Sequence, residues 1–360
     1  MLAASENPED RKVWLRIAAD YFAATRPADP EAIDCFAEAL IARLEKSDAM
    51  SRLDTARRLA NCPGTPRALL TWFEREESEA CDFVLQHAVG LTEDALRHAA
   101  AQSARRAVAV AKRRDLSRSL VDALSLHQCL DVQLSLARNP CAALEGDALI
   151  RMLREAGRRL SRSHDRELAD ALLRRGSLQL EHAVLFLDAD PGQRLEILLS
   201  AQRMELGRRS EIAAKADVVD RLEASALVRD MGKFVSELGQ ALGCSPQLAE
   251  RIANDASGEP LALALAALGA PKDVLIRVLV ATDLGSGDYP RIRTLARLSS
   301  ALNASAAASI IAGIVDDSAL RKRNSPGRDP ELRRVPSGSE GRKAAARSAR
   351  EPISPTSFVA

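Results

Sequence analysis

The sequence predicts an all-α chain in which short amphipathic helix pairs stack into a helical solenoid. Three observations carry that expectation. A near-repeat occurs three times: Leu91-Thr92-Glu93-Asp94-Ala95-Leu96, then Leu116 through Asp122-Ala123-Leu124, then Leu144-Glu145-Gly146-Asp147-Ala148-Leu149. Around these copies, apolar residues recur at helical spacing. Composition is 46% hydrophobic with only 3% aromatic residues, and the dominance of Ala, Leu and Arg favours helix throughout.

Equivalent leucines of the repeat lie 25 and 28 residues apart, and a looser copy begins 34 residues further on at Leu178. That spacing holds two helices of roughly ten residues with their turns. Helices so short are marginal alone, because nucleation costs more than a few bonds return. Stacking against neighbours must supply their stability.

From the N-terminus, residues 11–23 read as a helix, with Val13, Ile17 and Phe22 between charges. Asp29 is placed to cap the next helix, 31–45, which begins beside Pro30 and buries Ile33, Phe36, Leu40 and Leu44. A helix over 51–62 ends at Pro63-Gly64-Thr65-Pro66, and 67–76 follows with Leu69, Leu70, Trp72 and Phe73. In 104–114 the stripe is Ala104, Ala107, Val108 and Ala111; in 117–125 it is Leu120, Ala123 and Leu124. Residues 128–138 carry two stripes, as a helix buried on two sides requires, and 164–175 and 180–187 repeat the pattern. After a composition shift at 208–220, helices are expected over 220–242, 246–256, 260–268, 272–282, 289–301 and 303–315, separated by Gly/Pro/Ser breakers. The chain therefore divides into N-terminal helices (1–45), repeats (46–210), a second helical region (211–316) and a disordered basic tail (317–360).

Formal net charge is +1, so no global field draws nucleic acid or membrane. From Arg321 onward ten Lys/Arg stand against four Asp/Glu, which gives the tail +6 and leaves the body at −5. The N-terminus lacks the pattern of a secretory signal, and no apolar run reaches the roughly 20 residues of a membrane span. A cytoplasmic protein with six reduced, largely buried cysteines is expected.

The sequence carries no catalytic or metal-binding signature. The five histidines (87, 98, 127, 164, 182) lie in different segments, with no HExxH and no paired Cys/His spacing, so neither a metal nor a cofactor is expected. Asp188-Ala189-Asp190-Pro191-Gly192 lacks the closing Glu of a calcium loop and reads as a turn with a helix cap. There is no GxSxG elbow, and Gly285-Ser286-Gly287 has neither a third Gly nor a preceding strand.

The run Arg57-Arg58-Leu59-Ala60-Asn61, Leu91-Thr92-Glu93-Asp94, Ala111-Lys112-Arg113-Arg114-Asp115-Leu116 and Leu136-Ala137-Arg138-Asn139 resembles a bacterial family of HEAT-like repeat proteins catalogued as a domain of unknown function. Ile252-Ala253-Asn254-Asp255 and Gly258-Glu259-Pro260-Leu261-Ala262 resemble its C-terminal portion, so the likeness covers residues 45–285. The resemblance implies a HEAT-like α-solenoid acting as a partner-binding scaffold, and it brings no catalytic residues.

The one recurrent polar feature is paired arginine. Arg58, Arg106, Arg113, Arg114, Arg174 and Arg175 are the candidates for a partner-binding stripe, suited to acidic helices, phosphorylated segments or a nucleic-acid backbone. The competing reading lays these stems over neighbouring helices and pairs them with carboxylates such as Asp54, Glu155 and Glu167. Adjacent helical residues point about 100° apart, so at most one of each pair joins a common stripe. The leading expectation is a non-enzymatic module that binds a protein partner. The alternative is a nucleic-acid binder of the DNA-glycosylase-like HEAT type, disfavoured by the body charge and the few stacking aromatics.

Overall fold

In the computed structural model the described residues are 7–25, 29–205, 216–282 and 289–315, all within one unit, 1–322. Among them every regular element is helical. The tail expected to be disordered, 317–360, lies outside the described residues.

The first half contains α1 (Pro8–Thr25), α2 (Pro30–Leu44), α3 (Ala49–Leu59), α4 (Arg67–Arg75), α5 (Glu79–His87), α6 (Glu93–Gln102), α7 (Ala104–Ala111), α8 (Arg118–Ser125), α9 (Leu130–Arg138), α10 (Gly146–Ser163) and α11 (Glu167–Leu173). A 3₁₀ segment, Leu180–Asp188, and α12 (Pro191–Glu205) close it. Local chemistry starts these helices. Asp29, Asp48, Ser78, Thr92, Ser103 and Ser117 each accept a backbone N–H of the first turn. The third Asp-Ala-Leu copy departs from the expected cap: Glu145 makes no capping bond, and Gly146 follows it at φ 56°.

Packing follows a regular order. α3 packs on α5, α5 on α7, α7 on α9 and α9 on α11, while α6 packs on α8 and α8 on α10. The helices that carry Asp-Ala-Leu thus form one row and their followers another. The apolar stripe of α1 is Leu15, Ala19 and Phe22, with Val13 and Ile17 left exposed. The i, i+4, i+7 spacing of those three wins because they face α2 and α3.

The second half holds α13 (Ala216–Leu227), α14 (Met231–Leu242), α15 (Pro246–Ala253), α16 (Glu259–Ala267), α17 (Lys272–Ala281), α18 (Tyr289–Ala301) and α19 (Ala304–Val315). The single helix expected over 220–242 is broken. Arg229 sits at φ 60°, and Asp230 then accepts the Lys233 N–H at 3.0 Å to start α14. The aspartate's preference for a cap overrides the continuous apolar periodicity. Residues 180–188 form a 3₁₀ helix where the periodicity suggested an α-helical turn.

The two halves share one apolar core, built from residues between Cys81 and Ile314. A smaller core gathers Leu15 to Ala88. α19, rich in small residues, packs on α16, α12 and the 3₁₀ segment. Its Gly313 faces Ala183 so closely that a Cβ there would lie 2.6 Å from the Ala183 Cβ. Gly313→Val is therefore expected to destabilise by about 1–3 kcal/mol through overpacking, despite the better helix propensity of Val. Urea unfolding checks it, and Ala183→Gly in the same chain should recover part of the loss.

A buried arginine provides the second tie. Arg194 donates to the carbonyls of Ala189 (3.0 Å) and Leu187 (3.1 Å) and pairs with both oxygens of Asp255 (3.0 and 2.9 Å). Its Nη1 also reaches Ser257 (2.6 Å) and Glu259 (3.4 Å). Burial raises the Asp255 carboxyl, but the hydrogen bonds from Arg194 and Ser257 outweigh it and hold the group below the ordinary carboxylate value.

His182, 3% exposed, completes the 3₁₀ segment by accepting the Gln179 N–H on Nδ1 at 3.1 Å. Burial pushes its pKa down to about 4. The unfolded chain binds that proton near 6.5, the folded chain only near 4. Stability from this group is thus whole above the unfolded value and falls as pH drops through the folded one. The expected loss is about 3 kcal/mol, at 1.36 kcal/mol per unit. Urea titrations at pH 7 and pH 4 check this slope, which His182→Gln should flatten.

Candidate functional site

The six arginines singled out by sequence meet two fates. Arg113, 2% exposed, is spent inside. Its Nη1 donates to Leu85 O at 2.8 Å and its Nη2 to Ala88 O at 2.9 Å, at the C-terminal end of α5. It also grips Asp115 through two bonds of 2.9 and 2.8 Å, which hold that carboxyl below its usual range. Arg175 does the same for the end of α9, donating to Leu136, Ala137, Asn139 and Ala142 carbonyls at 2.6–3.3 Å. Burial depresses its pKa.

Between them Asn139 fills the matching place. Its Nδ2 donates to Ala111 O at 2.9 Å and Arg113 O at 2.6 Å, at the end of α7. The last carbonyls of a helix have no partner within it. Here the residue just past one helix satisfies the carbonyls ending the helix before. Arg113 and Asn139 reach back 25–28 residues and Arg175 reaches 33–39, matching the spacings of the Leu91, Leu116, Leu144 and Leu178 copies. Asn139 was not among the sequence candidates. Its signal was there, because it stands in the Ala-Arg-Asn run at the place Arg113 occupies one repeat earlier.

The other four lie at the surface or close to it. Arg58 pairs with Asp20 of α1 and, at 3.3 Å, with Asp54, the carboxylate the alternative reading named. Arg106 donates to Gln102. Arg114 and Arg174 are exposed, and among the described residues neither has a carboxylate partner. The pairs 113/114 and 174/175 thus split, one guanidinium inward and one outward. Glu155 takes Arg158 and Arg159, and Glu167 takes Arg138.

One surface brings exposed cations together. A groove of about 980 Å³ crosses α5, α7 and α9. Val108, Ala109 and Leu134 supply its apolar floor, while Arg105, Lys112, Arg114 and Arg138 stand along it. Asp82 bonds Arg105 at 2.7 Å and Asp131 stays exposed, so the positive charge is only partly offset. Cys141 is exposed in its wall, as is Cys35 elsewhere, which corrects the expectation of burial for both. Of the sequence candidates only Arg114 lines this groove. Arg105, Lys112 and Arg138 were missed, because only packing shows which exposed cations become neighbours.

Among the described residues no group of three His, Cys, Asp or Glu side chains is placed to hold a metal. No single described helix is long and apolar enough to cross a membrane. α18 and α19 pass that test only as a pair bent by 105°, and α19 is largely buried in the core. Comparison of the chain with protein-family models, curated proteins and solved structures finds no match.

Proposed function

We propose that this chain is a HEAT-like α-solenoid that works as a non-catalytic scaffold in the cytoplasm, holding an acidic amphipathic segment of a protein partner. The observation that carries the reading is the groove across α5, α7 and α9, where an aliphatic floor is flanked by Arg105, Lys112, Arg114 and Arg138. A helix laid there would bury apolar anchors and meet cations with its acidic flank. The recurring carbonyl caps of Arg113, Asn139 and Arg175 support the repeat reading. They keep one helix row in register, so the groove keeps its shape without a partner.

The experiment is affinity capture with mass spectrometry, comparing the wild type with Lys112→Glu/Arg114→Glu. The expected result is a protein recovered by the wild type and lost from the variant, with the fold unchanged by circular dichroism. Equal recovery by both chains overturns the groove. Salt-sensitive binding to duplex DNA that the same variant abolishes would replace the protein partner by a nucleic acid. Arg113 and Arg175 are unsuited to this test, since their loss would disturb the helix ends.

A further inference from the structure

A second cleft, of about 820 Å³, opens where α10, the 3₁₀ segment, α15 and α19 meet. Its lining divides by chemistry. α10 and the turn after it contribute Arg158, Arg162 and Arg166, and α15 contributes Arg251. The 3₁₀ segment and α19 contribute Val184, Leu187, Ile314 and Val315. The one lining carboxylate, Asp188, is shared by Arg166 at 3.3 Å and Arg251 at 3.1 Å. Arg158 leans on Glu155 at 2.7 Å, and among the described residues Arg162 has no ion pair. Positive charge therefore exceeds negative charge in a concave site, where low-dielectric walls concentrate the field.

The cationic lining is all arginine. The planar guanidinium fork matches phosphate oxygens in pairs, which an ammonium cannot do. No Phe, Tyr or Trp stands in the lining to stack on a nucleobase, and the one ring there is the His164 imidazole. The remaining wall is aliphatic, and the volume falls within the roughly 300–1,000 Å³ of small-molecule sites. The walls are firmly set. A Cβ at Gly157 would lie 3.2 Å from Val184 Cγ1 and one at Gly313 2.6 Å from Ala183 Cβ, so bare glycines let α10 and α19 pack closely on the 3₁₀ segment.

We propose that this cleft binds a small phosphate ester with an aliphatic body, its phosphates on Arg158, Arg162 and Arg251 and its carbon chain against Leu187 and Ile314. The site is separate from the α5–α7–α9 groove and does not depend on that groove's function.

Isothermal titration of the full chain with farnesyl diphosphate and with inorganic tripolyphosphate tests it. Farnesyl diphosphate should bind more tightly, and Arg162→Glu/Arg251→Glu should weaken both probes by at least about tenfold, or 1.4 kcal/mol. Ile314→Asn should weaken farnesyl diphosphate and leave tripolyphosphate unchanged. Lys112→Glu/Arg114→Glu, remote from the cleft, should change neither. Equal weakening by the remote pair would reveal unspecific attraction and overturn the proposal. So would tripolyphosphate binding as tightly as the diphosphate ester, or an acidic peptide outcompeting both.

Discussion

Replacing Arg194 by Met is expected to lower the unfolding free energy by about 3–5 kcal/mol, the largest loss of any single substitution considered for this chain. The reason is what stays behind. Arg194 and Asp255 are both largely buried, with side chains 8% and 13% exposed. Without the guanidinium, Asp255 and Glu259 would face each other with no cation between them, and the carbonyls of Leu187 and Ala189 would lose their donor. Met fills much of the volume, so packing alone does not explain the loss. Chemical denaturation at pH 7 measures it. Since the folded Asp255 carboxyl is held below its ordinary value, its contribution is whole above that value and vanishes as pH falls through the lower one. The gap between wild type and variant should therefore narrow in acid. A gap that stays constant to the lowest workable pH would show that packing, not charge, makes the difference. Asp255→Asn should recover part of the stability lost by Arg194→Met, because it removes the stranded charge.

Arg113→Met is expected to cost about 2–4 kcal/mol, from two buried carbonyls each left without a donor. Leu85 O and Ala88 O end α5, whose nine residues are too few to hold themselves together. Arg113→Lys should restore less than half, since one ammonium on a flexible stem replaces a rigid fork that serves both carbonyls and Asp115. Arg114→Ala, one residue on, should change stability by no more than about 0.5 kcal/mol. Urea midpoints with unchanged slopes would make the comparison clean. Similar midpoints for Arg113→Met and Arg114→Ala would mean that Arg113 does not cap α5 in solution.

The helices of this chain are legible in its sequence. Residues 67–76, 128–138, 246–256 and 303–315 were expected as helices, and α4, α9, α15 and α19 lie there within a few residues. The stripe Ala107, Val108 and Ala111 needs no knowledge of a partner, because periodicity marks the face to be buried whatever buries it. Asp29 was read as a cap from its place before Pro30, and it accepts the Glu31 N–H. The misreadings were also local in origin. Asp230 competes with an apolar stripe that runs on through it, and in α1 Val13 and Ile17 stay exposed while Phe22 is buried with Leu15 and Ala19.

The helical class, most helix starts and the spacing of the repeated units are readable from the chain alone, since all three follow from interactions within a few residues. What each arginine does depends on packing. Arg113 and Arg114 are chemically the same residue side by side, yet one is buried against carbonyls 25–28 positions away and the other faces solvent. The difference comes from the roughly 100° between successive side chains on a helix, together with which neighbour lies on each side. Both clefts are likewise products of packing. Arg158 and Arg251 are far apart in the chain, and only the docking of α15 beside α10 and the 3₁₀ segment turns separate cations into one binding surface.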